Sequence, residues 1–331
     1  MRRRIWSEAV PPREAAAPEV LTLLARADVQ LIQAVFPHTL GDAGELVRAC
    51  RSHGVSVGLW PMLDDIDGRW ASRKNGVAYA EHVRRLLEVL GGTLPDTVAI
   101  DLEPPISDVR RMLAADPRPL LGPLFAPPPL AGERALEALV DDLNRHGIET
   151  LAALVPPLGT GWIGTRGYAL AFGSPLPDLR LQRLGPMGYT TLLSGYSRGT
   201  LRRADARALL AMVAKGAARH LGPAATLSLG VVGGGALGDE ATYRTPADLA
   251  EDVAVARAAG VDDLALFSLD GLLGRPPAAR WLEAFTETPA AAILERPSRR
   301  ARALRLGISA SGAALSALAA TARFGRRRGL R

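Results

Sequence analysis

The segment Asp96-Thr-Val-Ala-Ile-Asp-Leu-Glu-Pro-Pro105 holds the clearest strand in this chain of 331 residues. Apolar side chains at every second position from Val98 to Leu102 predict a buried β-strand of period two. The two prolines cannot continue a ladder of backbone hydrogen bonds, so they end the strand. Asp101 and Glu103 are therefore expected on the same face, at the carboxyl end of this strand.

Seven further segments have strand character, and segments of helical periodicity separate them. The eight predicted strands cover residues 5–10, 29–36, 55–63, 96–105, 148–155, 183–189, 225–232 and 263–269. Strict alternation of strands and helices predicts a closed (βα)8 TIM barrel. An open doubly wound sheet is the alternative, but no glycine-rich phosphate loop follows the first strand. The proline-rich residues 117–129 are predicted to be irregular.

Charge is distributed unevenly along the chain. The net charge is +6, but residues 295–331 hold ten arginines and one acidic residue, so residues 1–294 are net acidic. We therefore divide the chain into a barrel over residues 1–290 and an arginine-rich tail over residues 291–331. An acidic barrel is a poor partner for nucleic acid, so no nucleic acid is expected to bind it.

The tail contains a short apolar segment, residues 306–322, that is rich in alanine and lies between clusters of arginine. Crossing a bilayer takes about 20 apolar residues, so this segment is marginal as a transmembrane helix. Two interpretations stay open for residues 296–331: contact with an anionic membrane surface, and a disordered basic tail. Residues 296–305 are predicted to be a solvated linker.

The single cysteine, Cys50, excludes an internal disulfide and a thiolate metal cluster. No apolar segment follows the basic residues at the N-terminus, so no signal peptide is predicted. We expect a cytoplasmic protein, with the tail as its one candidate for membrane association.

Chemistry in a parallel barrel takes place where the strands end. The residues predicted there are Glu8, His38, Trp60, Asp64, Asp65, Asp101, Glu103, Met187, Tyr189, Ser268 and Asp270, with Trp70 on a following loop. Carboxylates combined with flat aromatic rings suit a carbohydrate substrate. No arginine or lysine is predicted among them, although a phosphate or carboxylate substrate would call for one.

The spacing of Asp101 and Glu103 has a chemical consequence. Neighbouring carboxyl groups with apolar surroundings cannot both ionise cheaply, so one becomes a proton donor near neutral pH. The alternative is a structural pair that binds an arginine or caps a loop. The acids at the strand ends could also hold Mg²⁺ or Ca²⁺ through oxygen. No histidine lies in this acidic cluster, and neither a metal nor a cofactor is expected.

These motifs resemble glycoside hydrolase family 18, the chitinase-like barrels. That family ends its fourth strand with Asp-x-x-Asp-x-Asp-x-Glu, and the segment from Asp96 to Glu103 matches three of the four acidic positions. The family places Met-x-Tyr after its sixth strand, where this chain has Met187 and Tyr189. Its eighth strand ends in a tryptophan and, a few residues later, an aspartate, where this chain has Phe267 and Asp270.

The resemblance implies a retaining, substrate-assisted hydrolysis of an N-acetylhexosamine-type glycoside. Glu103 would be the general acid, Asp101 would hold the 2-acetamido group whose oxygen attacks the anomeric carbon, and Tyr189 would hydrogen-bond that group. Further contacts with the substrate are predicted for six residues, namely Glu8, Trp60, Asp64, Met187, Phe267 and Asp270.

Two positions depart from the family's pattern. Ala99 stands in place of its middle aspartate, and Phe267 replaces the tryptophan that forms the floor of its pocket. These differences favour a small or soluble glycoside as substrate. Two other functions stay open: a carbohydrate-binding barrel without catalysis, and a metal-dependent phosphodiesterase or lyase.

Overall fold

The computed structural model describes residues 1–125, 130–176, 179–197, 199–291 and 297–327. Its centre is one sheet of eight parallel strands. The strands are β1 (Arg2–Ser7), β2 (Gln30–Val35), β3 (Val57–Pro61), β4 (Thr97–Leu102), β5 (Glu149–Leu154), β6 (Arg183–Pro186), β7 (Leu227–Gly230) and β8 (Asp263–Phe267).

The order of the strands follows the chain. β1 pairs with β2 on one side and with β8 on the other, so the two ends of the sheet meet. Between β6 and β7 the ring is completed by isolated bridges, which join Leu184 to Ala225 and Met187 to Ser228. The chain folds as a (βα)8 TIM barrel, and the predicted fold is confirmed.

Helices connect the strands and surround them. They are α1 (Pro12–Ala15), α2 (Pro18–Arg26), α3 (Ala43–Ser52), α4 (Gly76–Leu90), α5 (Ile106–Leu113), α6 (Arg118–Phe125), α7 (Leu130–Arg145), α8 (Pro156–Gly159), α9 (Thr165–Ala171), α10 (Thr190–Tyr196), α11 (Arg203–Leu221), α12 (Pro246–Ala258), α13 (Leu269–Leu273), α14 (Ala278–Thr286) and α15 (Arg299–Arg327).

The hydrophobic core has an outer and an inner part. Leucine and valine on the outward faces of the strands pack beneath the helices, as Leu59 does beneath α3. A separate cluster occupies the inside of the barrel and includes Ile32, Ala99, Leu151 and Ala265. Because side chains in a strand alternate between faces, each strand contributes to both parts.

The opposite end of the barrel from the strand carboxyl ends is filled by a buried arginine. Arg4 is fully buried, and its guanidinium group donates to both oxygens of Asp263 at 2.9 Å. It also donates to Glu149 and to Gln30, each at 2.8 Å. These acceptors come from three other strands, so one side chain ties four strands together.

The prediction that residues 117–129 are irregular is wrong for 118–125, which form α6. Residues 126–129 lie outside the described residues. Pro119 falls in the first turn, where backbone N–H groups have no partner within the helix, so a proline costs little there. Buried Pro123 and Leu124 hold the helix against its neighbours, because tertiary packing outweighs the local preference.

The tail is also ordered over residues 299–327, where it forms α15. The linker predicted for 296–305 and the disordered tail are therefore wrong for the described part of this segment. Ala301 and Ala319 are buried, and Tyr168 donates to the Ile308 carbonyl at 3.1 Å. By length and composition, residues Arg299–Ala322 could also cross a membrane. The division of the chain at residue 290 stays a prediction.

Candidate active site

A cavity of about 310 Å³ opens at the carboxyl ends of the strands. Side chains from five strands and from the loops between strands and helices form its wall. They include Trp6, Glu8, Trp60, Trp70, Asp101, Glu103, Met187, Tyr189, Glu240 and Phe267. The cavity is thus acidic and aromatic, which is the combination that the sequence predicts.

Asp101 and Glu103 lie side by side in this cavity and share a hydrogen bond. Burial raises the pKa of Asp101 well above its usual value, and the charges of Glu103 and Glu8 raise it further. Burial likewise raises the pKa of Glu103, to about 7, against the lowering effect of its hydrogen bond with Asp101. The pair therefore holds a proton at neutral pH, and a proton held between two carboxyl groups belongs to both.

Glu8 reaches the same cavity from the end of β1. Burial raises the pKa of Glu8 to about 7, although its ion pair with Arg69 lowers that pKa. Arg69 also donates from Nε to Asp65 at 2.7 Å, and its guanidinium group lies 5.4 Å from the centre of the Phe36 ring. Arg69 is thus fixed by two carboxylates and one aromatic ring.

Arg69 corrects the prediction that no basic residue stands at the strand ends. It lies in the loop after β3, directly after Gly68, and its own φ is 62°. That left-handed conformation is uncommon outside glycine and turns the side chain toward Glu8. No spacing in the sequence marks such a residue, because its position depends on the turn and not on a strand.

Aromatic rings form the deeper wall of the cavity. Trp6 and Trp60 meet edge to face with their ring centres 5.0 Å apart. Phe267 lies 6.5 Å from Trp60 and 6.0 Å from Tyr189. Trp6 was not predicted as a site residue, although its spacing of two from Glu8 on a strand places both on one face.

Tyr189 is presented by the chain between β6 and α10, and its ring packs against the backbone of Gly230. A Cβ atom on Gly230 would come within 3.1 Å of that ring. Burial, with the charge of Asp101 second, raises the pKa of Tyr189 well above its usual value. The phenol is therefore protonated at neutral pH and can donate a hydrogen bond into the cavity.

Two side chains brace the loops around the cavity. Asn75 accepts from the backbone N–H of Ser72 at 2.9 Å and donates to the Trp70 carbonyl at 2.8 Å, which fixes the loop that carries Trp70. Glu240 accepts from the N–H groups of Gly235 and Leu237, at 3.2 and 2.9 Å. Sequence analysis missed Glu240, because it lies in an irregular loop.

The structure places two of the predicted substrate contacts outside the cavity. Asp64 is exposed to solvent and does not line the cavity. Asp270 accepts hydrogen bonds from the backbone N–H groups of Glu8, Ala9 and Val10. Its carboxylate therefore holds the chain after β1 in place. Trp60, Met187, Phe267 and Glu8 do line the cavity, together with Asp101, Glu103 and Tyr189.

Several polar atoms of the cavity wall have no hydrogen-bond partner within the described part of the chain. They are Oδ1 of Asp101 and the indole nitrogens of Trp6 and Trp60. These atoms are buried, and leaving buried polar atoms unpaired is costly, which is more common at functional sites than in an ordinary core. The described residues contain no group of three or more His, Cys, Asp or Glu side chains arranged to hold a metal ion.

No protein-family model and no curated protein sequence matches the chain. Solved structures do. The glycoside hydrolase domain of PgaB (BpsB) from Bordetella bronchiseptica is 11% identical, with 86% of this chain and 99% of that one covered and a TM-score of 0.53. A β-glucosidase named 1317 is 14% identical, with 85% and 90% covered and a TM-score of 0.50.

A D-psicose 3-epimerase, solved in the presence of D-fructose, is 12% identical, with 93% of this chain and 99% of that one covered and a TM-score of 0.43. At such identities the likeness shows the barrel fold alone. The neighbours include glycoside hydrolases, and what that implies for the activity of this chain depends on the residues of the cavity.

Proposed function

We propose that this protein is a glycoside hydrolase that cleaves N-acetylhexosamine-type glycosides, with Glu103 as general acid. The observation that carries the proposal is the pair of neighbouring carboxyl groups, Asp101 and Glu103, in one cavity lined by aromatic rings. Glycoside hydrolases occur among the structural neighbours with the same fold. The resemblance to glycoside hydrolase family 18 supports the N-acetylhexosamine substrate and the role of Glu103 as general acid.

Glu103 has the protonation state that the first step needs. The glycosidic oxygen must receive a proton as its bond to the anomeric carbon breaks, and a carboxyl group with a pKa of about 7 still keeps its proton in about half of the molecules at neutral pH. No arginine or lysine among the described residues binds Asp101 or Glu103 in an ion pair. The proton is thus free to move to a substrate.

The nucleophile is the acetamido oxygen of the substrate in this proposal. Glu8 is the remaining carboxyl group near the pair, but its raised pKa and its ion pair with Arg69 make it a poor anionic nucleophile. When Glu103 gives up its proton, Asp101 stabilises the positive charge that develops on the acetamido group. Tyr189 donates to that group and holds it beneath the anomeric carbon.

The size of the cavity limits the substrate. A volume of about 310 Å³ lies at the lower end for ligand pockets and suits one or two sugar rings. Trp6 and Trp60 line the cavity with aromatic surface, which can pack on the C–H face of such a ring. Phe267 occupies the centre of this wall, between Trp60 and Tyr189. We therefore propose a short, soluble glycoside as substrate.

The test uses 4-nitrophenyl N-acetyl-β-glucosaminide and the matching glucoside, which lacks the acetamido group. The wild type should release 4-nitrophenol from the first compound alone. Glu103→Gln should lose at least about 100-fold in kcat while it still binds the substrate, since general acids contribute roughly that much. Asp67→Asn, which removes an exposed acid from the rim, is the matched control and should turn over normally.

Three results would reject this mechanism in favour of others. Equal hydrolysis of the glucoside would exclude the acetamido nucleophile. Saccharide binding without turnover by the wild type would indicate a binding protein. Activity that disappears with a chelator and returns with Mg²⁺ would indicate a metal-dependent enzyme.

A further inference from the structure

A second cavity, of about 500 Å³, lies on the flank of the barrel between α11, α15 and the loop after α8. Four basic residues line it: Lys215, Arg219 and His220 from α11, and Arg305 from α15. Among the described residues, no aspartate or glutamate lines it, and none lines both this cavity and the acidic cavity of the candidate active site. We call this cavity, with its four basic side chains, the basic pocket.

The charges of the basic pocket are not neutralised by the described part of the protein. The ion pairs of the described residues involve other arginines and lysines, such as Arg203 and Arg207 on α11. Arg305 instead lies over the ring of Trp162, at 6.0 Å from its centre. Three permanent positive charges on one flank attract an anion, and the pocket gives that anion a defined place.

Large apolar side chains project beside the basic pocket. Ile163 is 78% exposed, in the loop that borders the pocket, and Leu306 is 61% exposed, directly after Arg305. Both line the pocket. Exposed apolar residues next to basic ones are typical of surfaces that enter the boundary between lipid headgroups and acyl chains.

The same surface continues along α15. The face that points away from the barrel contains Ala303, Ala310, Ala314 and Ala317, all exposed, and residues 306–322 carry no charge. Four exposed arginines lie at the start of the helix: Arg299, Arg300, Arg302 and Arg305. The sequence that follows residue 322 adds five more. An uncharged helix face between basic ends suits a membrane surface.

We propose that the basic pocket and the outer face of α15 form a docking surface for an anionic phospholipid membrane. A headgroup phosphate binds among Lys215, Arg219 and Arg305, while Ile163 and Leu306 insert at the boundary with the acyl chains. Nucleic acid would match the charge but would leave the apolar residues and the helix face without partners. An anionic bilayer matches all of these features.

The contacts of α15 favour a helix that lies on the membrane rather than one that crosses it. Gly164 and Gly167, at the start of α9, touch the backbone of α15 around Gly312. A helix that left this position to span a bilayer would expose that crossing and the buried Ala301 and Ala319. Docked as it is, α15 presents one face to the barrel and the other to solvent.

The position of the pocket leaves the acidic cavity open. Helices of a parallel barrel run against the direction of the strands, so the C-terminal half of α11 lies at the amino ends of the strands. The acidic cavity is at their carboxyl ends. A barrel held on a membrane by the basic pocket would therefore still admit a soluble substrate, and this docking does not depend on the proposed activity.

The test is sedimentation of the full chain with vesicles of phosphatidylcholine, with and without about 30% phosphatidylserine. We expect binding to the anionic vesicles alone. Lys215→Gln/Arg219→Gln/Arg305→Gln should lower the partition coefficient about 100-fold, at roughly fivefold per charge. Arg26→Gln/Arg84→Gln/Arg134→Gln removes the same charge from exposed positions on other helices and should change it far less.

A second pair of variants tests the apolar contribution. Ile163→Ser/Leu306→Ser should weaken vesicle binding about tenfold, since each side chain loses burial in the interface. Ile66→Ser/Leu130→Ser, at positions 92% and 61% exposed, should leave it unchanged. Circular dichroism of each variant establishes that it is folded, so a loss of binding is assigned to the surface.

Four results would overturn the proposal. They are no binding to anionic vesicles, equal loss in the two charge variants, binding to duplex DNA with none to vesicles, and protein that stays on vesicles in about 0.5 M NaCl. Salt at that concentration screens charges beyond a few ångströms, so retention would indicate a helix that spans the bilayer.

Discussion

At the scale of single residues, the charge of Glu8 acts on both members of the acidic pair. It raises the pKa of Asp101 and of Glu103 from across the cavity. Arg69 opposes this effect, because its positive charge lowers the pKa of Asp101 and of Glu8. The protonation of Asp101 and Glu103 thus depends on the ion pair between Glu8 and Arg69.

Glu8→Gln tests this dependence. Without the charge of Glu8, the pKa of Glu103 should fall, so the alkaline limb of kcat/KM should move to lower pH and activity at about pH 7.5 should fall severalfold. The measurement is the pH profile of hydrolysis for both proteins. An alkaline limb that stays in place would show that Glu8 does not set the protonation of Glu103.

The raised pKa of Glu103 also predicts a cost in stability. Its pKa is about 7 in the folded state and near 4.5 when unfolded, so the folded state binds the proton more tightly. Stability from this group is present below about pH 4.5 and is lost as the pH rises through about 7. Glu103→Gln should therefore stabilise the protein by about 1–3 kcal/mol at pH 8 and by little at pH 4.

Urea unfolding at the two pH values measures this difference. Asp67→Asn, an exposed change of the same type, serves as the control. Equal stabilisation by Glu103→Gln at both pH values would show that packing, and not the buried charge, is responsible.

The sequence predicts most residues of the candidate site, but not the residues that hold them in place. Asp101 and Glu103 follow from the strand pattern and Met187 and Tyr189 from a motif, because each lies at or just after a strand end. Arg69 and Glu240 lie in loops whose course depends on turns and long-range contacts. Asp270 stands close to a strand end but faces backbone amides, and the sequence carries no sign of that orientation.

At the scale of secondary-structure elements, α9 and α15 can cross closely because glycines lie at their contact. A Cβ atom on Gly312 would lie 2.6 Å from the carbonyl oxygen of Gly164 and 2.8 Å from the ring of Tyr168. Backbone cannot move aside as a flexible side chain can. Gly307, in the same helix, has no atom of the described residues within 4 Å of such a Cβ.

This contrast gives a matched pair of variants. Gly312→Ala should cost about 1–3 kcal/mol by forcing the two helices apart. Gly307→Ala should stabilise α15 by up to about 1 kcal/mol, because alanine favours a helix over glycine. Thermal unfolding and hydrogen exchange of α15 measure both effects. Similar results for the two variants would mean that the close crossing of α9 and α15 contributes nothing to the packing of α15 on the barrel.

The sequence did not predict that residues 299–327 form one helix, α15, packed on the barrel. Its alanine, serine and glycine content gives weak apolar periodicity, and its arginines indicate solvation. The reason it forms a docked helix lies in α9, more than a hundred residues earlier, where Gly164 and Gly167 allow close approach. Helix α6 was missed for a similar reason, since its burial against neighbours outweighs its prolines.

At the scale of the whole molecule, the alternation of eight strands with helices was enough to predict the barrel. Strand positions were right within a few residues, because a strand in a parallel barrel is apolar and bounded by turns. The side chains that fill the barrel's lower end were not predicted. A fully buried arginine contradicts the expectation from composition, and it depends on acceptors 26, 145 and 259 residues away. The expected cytoplasmic location stays a prediction.

Loss of one acceptor of Arg4 should destabilise the barrel. Asp263→Ala leaves its guanidinium group buried with part of its partners lost, and breaking a buried pair in this way costs about 3–5 kcal/mol. Glu149 and Gln30 still accept from Arg4, so we expect the lower figure. Glu81→Gln removes one acid from an exposed pair with Arg85 and should change stability by less than about 0.5 kcal/mol. Because Arg4 joins four strands, Asp263→Ala should speed hydrogen exchange in β1, β2, β5 and β8 alike; a change confined to β8 would show that the arginine does not couple them.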